Sequence, residues 1–183
     1  VIARINIATL GPQGTDSENA ARIVQQSLHL QGEIVLCKSF HDARTYALQH
    51  DSYLMVPMAF CSRDEDGSVV ETMGDFHFET ENRGLKLFHA EVLPLKEMCF
   101  VRRSDCISPQ NIVLHPATET FAKRYANGMR RIYMNSKPLV VMACSEGKAD
   151  SCIGSADIVA QYSNLVVEAR FQPTMGWMLY KKG

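Results

Sequence analysis

The chain is poor in uncompensated charge: 19 Lys and Arg stand against 20 Asp and Glu over 183 residues, a net charge of -1. Without a basic excess there is no overall field to draw in nucleic acid or an anionic membrane surface, so neither is expected as a partner. Long apolar runs are also missing. None approaches the roughly 18 residues that a membrane span needs, and the first residues lack the charged-then-apolar profile of a signal peptide. The sequence therefore predicts a soluble, cytoplasmic protein. Paired cysteines are absent as well: Cys37, Cys61, Cys99, Cys106, Cys144 and Cys152 are scattered singly, with no C-x-x-C spacing, and most stand among apolar residues. Reduced, buried thiols are the expectation. His29, His41, His50, His77 and His89 show no metal-ligand spacing, and no metal site is expected.

What is present is ordinary globular material. A content of 46% hydrophobic and 21% charged residues suffices for one large domain or two small lobes. Ile5 to Leu10 is an apolar, β-branched run stopped by Gly11-Pro12-Gln13-Gly14, and from Glu18 to Leu30 apolar residues recur at helical spacing. Strand, turn and helix recur: Ile34 to Cys37 reads as strand, Phe40 to Leu48 as helix, Tyr53 to Val56 as strand stopped by Pro57. Such alternation favours a parallel sheet with helices on its faces. The stretch from Ser62 to Gly84, rich in Asp, Glu and Gly, has little periodicity and reads as a solvated loop or lid. Leu85 to Val92 and Glu97 to Val101 read as two strands around Leu93-Pro94. A second α/β series follows, with strands at 112–114, 131–134 and 151–153, helices at 116–125, 138–147 and 155–162, and final strands at 165–169 and 178–180. The economical architecture is α/β with two lobes, 1–98 with 164–183 and 99–163, and a ligand cleft beyond the carboxyl ends of the strands.

The sharpest local feature is Gly11-Pro12-Gln13-Gly14-Thr15-Asp16-Ser17-Glu18, at the junction of the first strand and first helix. Thr15-x-x-Glu18 has capping-box spacing, in which hydroxyl and carboxylate satisfy opposite backbone donors. The same amides, with the Thr15 and Ser17 hydroxyls, suit a substrate carboxylate or phosphate. The segment is not a P-loop, because the Gly-Lys-Ser/Thr ending is missing.

Thr9 to Ala21 resembles the opening G-P-x-G-T-x-S-E-x-A-A signature of the prephenate dehydratases. Further segments are similar in the same order: Ser39-Phe40-His41-Asp42-Ala43 to S-F-x-D-A, Val56-Pro57 to V-P-x-E-N-S, and Gly67, Val69 and Thr72 to G-x-V-x-x-T. Leu114-His115-Pro116 resembles S-H-P, Asn135-Ser136 the strand-to-helix hydroxyl site, and Ser155-Ala156 to Tyr162 the helix beside the cleft. The resemblance spans nearly the whole chain. It implies a two-lobed fold like type 2 periplasmic binding proteins, closing on a small-molecule carboxylic acid, a homodimer, and chemistry without metal or organic cofactor. The chain stops after the family's last strand, so the appended ACT domain, and with it phenylalanine feedback, is expected to be absent.

Two departures bear on reaction type. Where dehydratases carry N-x-T-R-F, this chain has Pro173-Thr174-Met175-Gly176-Trp177-Met178, with Gly176 in place of the threonine and Trp177 in place of the arginine. E-N-S is replaced by Ala59-Phe60-Cys61. Losing the threonine removes the proton donor for hydroxide departure. The closing run Thr174-Met175-Gly176-Trp177-Met178-Leu179-Tyr180-Lys181-Lys182-Gly183 is instead similar to the prephenate decarboxylases of bacilysin-type antibiotic biosynthesis. That resemblance implies a lyase that expels carbon dioxide without aromatising the ring, with Trp177, Phe60 and Met58 either supplying an apolar surface for the leaving carboxylate or packing a core.

The expected catalytic residues are Thr15, Ser17 and His115, the last a usable acid near its ordinary pKa or, equally, a helix cap. Gly14, Asp16, Pro57, Met58, Ala59, Phe60, Asn135, Ser136, Lys137, Gly176 and Trp177 are the expected substrate contacts. Lys137, in the first turn of a helix, is either an exposed cation or a replacement anchor for the missing arginine. Two rival readings stay open. One is a redirected dehydratase-like enzyme acting on another acid or thio-acid, as in tropone antibiotic biosynthesis such as that of tropodithietic acid. The other is a non-catalytic small-acid-binding protein.

Overall fold

The structure is a computed structural model describing residues 4–64, 68–134 and 137–183. Contacts divide the chain into two α/β units, unit 1 formed by Val1–Pro94 with Thr174–Gly183 and unit 2 by Leu95–Pro173.

Unit 1 is built on β1 (Ile7–Leu10), β2 (Ile34–Cys37), β3 (Tyr53–Pro57), β6 (Leu85–Pro94) and β12 (Thr174–Lys182), in the sheet order β2-β1-β3-β12-β6. β1 pairs in parallel with β2 and β3, whereas β12 runs antiparallel to both of its neighbours, β3 and β6. The expected parallel sheet is thus a mixed one. Side chains alternate across each strand, and the two faces are covered differently. Ala8, Leu54, Val56, Met178 and Tyr180 form one core with Phe40, Ala43 and Ala47 of α2 (Phe40–Gln49) and Phe76 of α3 (Met73–Asn82). The opposite face, carrying Ile7, Thr9, Met55 and Leu179, is covered by α1 (Asp16–Ser27), whose Ala20, Ala21 and Val24 are buried.

The acidic stretch is not a loop. Cys61–Arg63 (β4) and Val69–Thr72 (β5) form a hairpin, and α3 follows it directly. A capping box explains this helix. Thr72 accepts from the Asp75 amide while the Asp75 carboxylate accepts from the Thr72 amide, and Phe76 and Thr80, one turn apart, are its buried positions. Arg44, itself buried, lies 4.6 Å over the Phe76 ring. Residues 65–67, including Gly67, lie outside the described residues.

Unit 2 has the sheet order β11-β7-β10-β8-β9, from β7 (Met98–Arg103), β8 (Asn111–Leu114), β9 (Arg130–Tyr133), β10 (Ser151–Ser155) and β11 (Leu165–Phe171). β8, β9 and β10 are parallel, and β7 is antiparallel to β10 and β11. Residues 164–173, placed with the first lobe from sequence, belong here because β11 takes β7 as its partner. Met98, Phe100, Ile112, Leu114 and Ile153 pack against Ala122 of α4 (Glu119–Tyr125) on one face. Cys99, Val101, Val113 and Cys152 pack against Val140, Val141 and Cys144 of α5 (Lys137–Ser145) on the other, together with Val159 of α6 (Ala156–Val159). The helix expected over 155–162 is only this single turn. Gly154 on β10 has a packing reason, since a Cβ there would run into Val141.

All six cysteines are free, but only Cys99, Cys144 and Cys152 are buried; Cys37 and Cys106 are half-buried and Cys61 is exposed. A hydrogen bond to Cys144 and burial raise the Cys152 thiol well above its ordinary pKa, so it is a packing group rather than a nucleophile at neutral pH. No helix among the described residues is long and apolar enough to cross a membrane.

Candidate functional site

The start of α1 is the best-defined polar feature of unit 1. β1 ends at Leu10, Gly14 takes a positive φ of 84° that a side chain would resist, and Thr15 sits in extended conformation as the N-cap. The Thr15 hydroxyl accepts from the Glu18 amide at 3.3 Å and donates to the Leu10 carbonyl at 3.3 Å. Glu18 does not close the reciprocal box on Thr15. Its carboxylate accepts from the Gly14 amide at 2.6 Å and from the Arg22 guanidinium at 2.6 Å and 3.2 Å. Those bonds, the Gly14 amide foremost, hold the Glu18 carboxyl below its ordinary pKa.

Ser17 is left over from this network. It is only 7% exposed, and neither its amide nor its hydroxyl has a hydrogen-bond partner among the described residues. At the second position of the helix its amide has no carbonyl of the same helix to bond. Two donors from one residue, at the positive end of a 12-residue helix, are thus placed as a carboxylate would need them. Asp16 adjoins them, half-buried.

Gly176 and Met58 are brought together. The Met58 amide donates to the Gly176 carbonyl at 2.7 Å, and the Met58 side chain folds over the glycine. A Cβ at position 176 would lie 3.0 Å from Met58 Cγ and 3.2 Å from Cε, and nearer still to the sulfur. The space that a side chain at position 176 would enter is therefore filled by a thioether. Met58 remains 44% exposed, Ala59 is exposed, and Pro57 is half-buried at the end of β3.

The three apolar candidates do not form one surface. Phe60 packs against Phe40 (ring centroids 5.5 Å apart), Phe76 (4.8 Å) and His41 (6.1 Å), with the α2 and α3 core. Position 176 alternates onto that same face. Trp177 alternates onto the other, where α1 lies, paired across the strands with Pro57 and Glu91. Trp177 is 3% exposed, and its indole Nε1 is a buried donor with no hydrogen-bond partner among the described residues. Leaving such a group unmet costs about 1–3 kcal/mol. Next to it is a pair that sequence reading missed: His89 Nε2 and Glu91 Oε2 lie 3.3 Å apart on β6. No local motif marks them, because only the pairing of β6 with β12 places them there.

In unit 2, His115 caps the 3₁₀ turn Pro116–Thr118, its Nδ1 accepting from the Ala117 amide at 3.2 Å. Burial, and then the charge of Lys137 at the start of α5, push its pKa below the ordinary 6.5. The ring is thus neutral near pH 7 with its hydrogen on Nε2, which of the two roles left open by the sequence suits the cap. Asn135 and Ser136 lie outside the described residues. Because the folded pKa is depressed, the stabilisation from the neutral ring is fully present above pH about 6.5 and is lost as pH falls from there toward the folded pKa. Lys137→Met is expected to move the His115 midpoint upward in an NMR titration; an unmoved midpoint would remove Lys137 as a cause. Among the described residues no group of three or more His, Cys, Asp or Glu is arranged to hold a metal.

No protein-family model matches the chain, and no curated protein matches it. Solved structures match its fold. A prephenate dehydratase from Arthrobacter aurescens, in complex with L-Phe, is similar at 18% identity and a TM-score of 0.60, over 98% of this chain and 61% of that one. An ABC transporter protein from Parabacteroides distasonis is similar at 12% identity and a TM-score of 0.61, over 97% and 65%. The BvgS periplasmic VFT2 domain of Bordetella pertussis is similar at 12% and 0.53, over 97% and 80%. The chain thus spans about three-fifths of the length of the dehydratase. At these identities the likeness establishes the fold: α/β, of the kind shared by prephenate dehydratases and type 2 periplasmic binding proteins.

Proposed function

We propose that this chain is a cofactor-independent lyase that decarboxylates prephenate, or a closely related cyclohexadienyl acid, without aromatising it, in antibiotic or other specialised biosynthesis. The observation that carries the reading is the Gly176 and Met58 pair. The position from which a threonine hydroxyl would protonate the leaving ring hydroxyl has no side chain and is covered by a thioether. Without that acid the ring C–O bond stays, and the remaining favourable fragmentation breaks the bond between the ring and its carboxylate. Carbon dioxide departs, the electron pair enters the diene, and a distal ring carbon takes a proton. The Ser17 hydroxyl and amide hold the pyruvyl carboxylate, with charge supplied by the α1 terminus in place of an arginine. The likeness of fold to a prephenate dehydratase supports the substrate class. In this reading the enzyme works in the cytoplasm as a homodimer, the latter checked by light scattering of the eluting protein.

The test is incubation of purified protein with prephenate at neutral pH, with products assigned by mass and proton NMR. Dihydro-4-hydroxyphenylpyruvate is expected. Phenylpyruvate would overturn the argument from Gly176. Unchanged prephenate with a raised melting temperature would make the chain a binding protein, and unchanged prephenate with no shift would point to a redirected enzyme.

A further inference from the structure

We propose that the indole N–H of Trp177 is a hydrogen-bond donor to the bound substrate, and specifically to one of its uncharged oxygens, the keto or the ring hydroxyl oxygen. This rests on the reading above and deepens it.

The side chain is 3% exposed, yet its one polar atom is unmet among the described residues. Two other buried hydroxyls of unit 1 are met. The Thr9 hydroxyl donates to the Met55 carbonyl at 3.0 Å, and the Tyr180 hydroxyl lies 2.9 Å from His77 Nδ1. A phenylalanine would supply apolar bulk on β12 without an orphaned donor, so packing alone does not account for the indole.

Its placement points to the ligand. Continuing the register of Ile7 with Tyr53 and Ala8 with Leu54 brings Pro57 level with Gly11, and Trp177 pairs with Pro57. Trp177 therefore stands on the α1 face of the sheet, at the carboxyl edge of β1 and β3, where the chain turns into the Ser17 anchor. Ligands of open α/β sheets bind beyond that edge.

The charge state of the acceptor follows from the cross-strand neighbour. Glu91 stands directly opposite Trp177, and its carboxylate is taken by His89 rather than by the indole. An anionic oxygen delivered to this spot would meet that carboxylate at close range. A keto or hydroxyl oxygen accepts from the N–H without the repulsion. Trp177 is then a specificity residue: a neutral donor that takes an uncharged oxygen and does not hold a second carboxylate.

The chain has a single tryptophan, so one indole N–H resonance reports on this atom alone. The experiment titrates uniformly 15N-labelled full chain with phenylpyruvate and with 4-hydroxyphenylpyruvate, which differ only by the ring hydroxyl, and measures prephenate kinetics of W177F in parallel. The indole resonance is expected to move downfield and saturate. A shift with both acids identifies the keto oxygen, and a shift only with the second identifies the hydroxyl. W177F is expected to raise KM for prephenate about tenfold, the loss of one hydrogen bond at a buried site. Saturable binding, seen in backbone amides, with an unmoved indole resonance would overturn the proposal and leave the decarboxylase reading standing. Prephenate neither bound nor consumed would overturn both.

Discussion

Gly176→Thr is expected to lower the stability of unit 1 by about 1–3 kcal/mol, the range for forcing extra atoms into occupied space. That corresponds to a melting midpoint lower by roughly 3–9 °C for a chain of this size. The threonine would have to displace Met58, whose Cγ and Cε both lie within 3.2 Å of the new Cβ position. Met58 is flexible and 44% exposed, so it can swing outward, and swinging outward exposes its thioether instead. The informative comparison is the double variant Met58→Ala/Gly176→Thr. If Met58 is what fills the site, removing it first makes room, and the double variant recovers most of the loss. The two effects are then strongly non-additive, as expected of residues in contact. Additive losses measured by thermal or urea denaturation would mean that the glycine is required for another reason. With a hydroxyl at position 176 and the thioether gone, the product assay also tests the proposed reaction, since any phenylpyruvate should come first from the double variant.

Much of this site was legible because it is local. The Thr15-x-x-Glu18 spacing sits inside one turn, and so do the strand before it and the helix after it; the cap on Thr15 follows from residue types alone. Even there, the carboxylate of Glu18 goes to Gly14 and Arg22 rather than back to Thr15, a choice made by backbone geometry. The helix hidden in the acidic stretch had a readable signal too, the Thr72-x-x-Asp75 box. It was masked by exposed Glu and Asp and by a short apolar stripe in which Phe76 is the one buried apolar residue. Long-range pairing is what sequence could not supply. β12 takes β3 and β6 as partners 80 or more residues away, and that register decides that Gly176 meets Met58 while Trp177 turns to the opposite face beside Glu91. The same lack of local information misassigned 164–173, since β11 has its strand partner in β7. For Phe60, sequence left a site surface and core packing both open; its contacts with Phe40 and Phe76 place it, half-buried, against the core of α2 and α3.

Ser17→Ala is expected to reduce kcat/KM for prephenate by roughly 10- to 150-fold while leaving the fold as stable as before. The rate term comes from one hydrogen bond to a charged carboxylate, about 1.5–3 kcal/mol. The stability term is near zero because, among the described residues, the Ser17 hydroxyl bonds to nothing in the folded chain. Alanine is also the better helix former, so the variant is expected to melt no lower than the parent. Thr15→Ala provides the contrast. Its hydroxyl caps α1 through the Glu18 amide, and losing it should cost about 1 kcal/mol of stability whatever the ligand. The proposed mechanism gives neighbouring hydroxyls in one turn different work, Thr15 to the helix and Ser17 to the substrate, and the pair of measurements separates them. A Ser17→Ala variant that keeps its kcat/KM would remove the anchor from the proposed mechanism. One that loses both stability and rate would mean that the serine serves the helix after all.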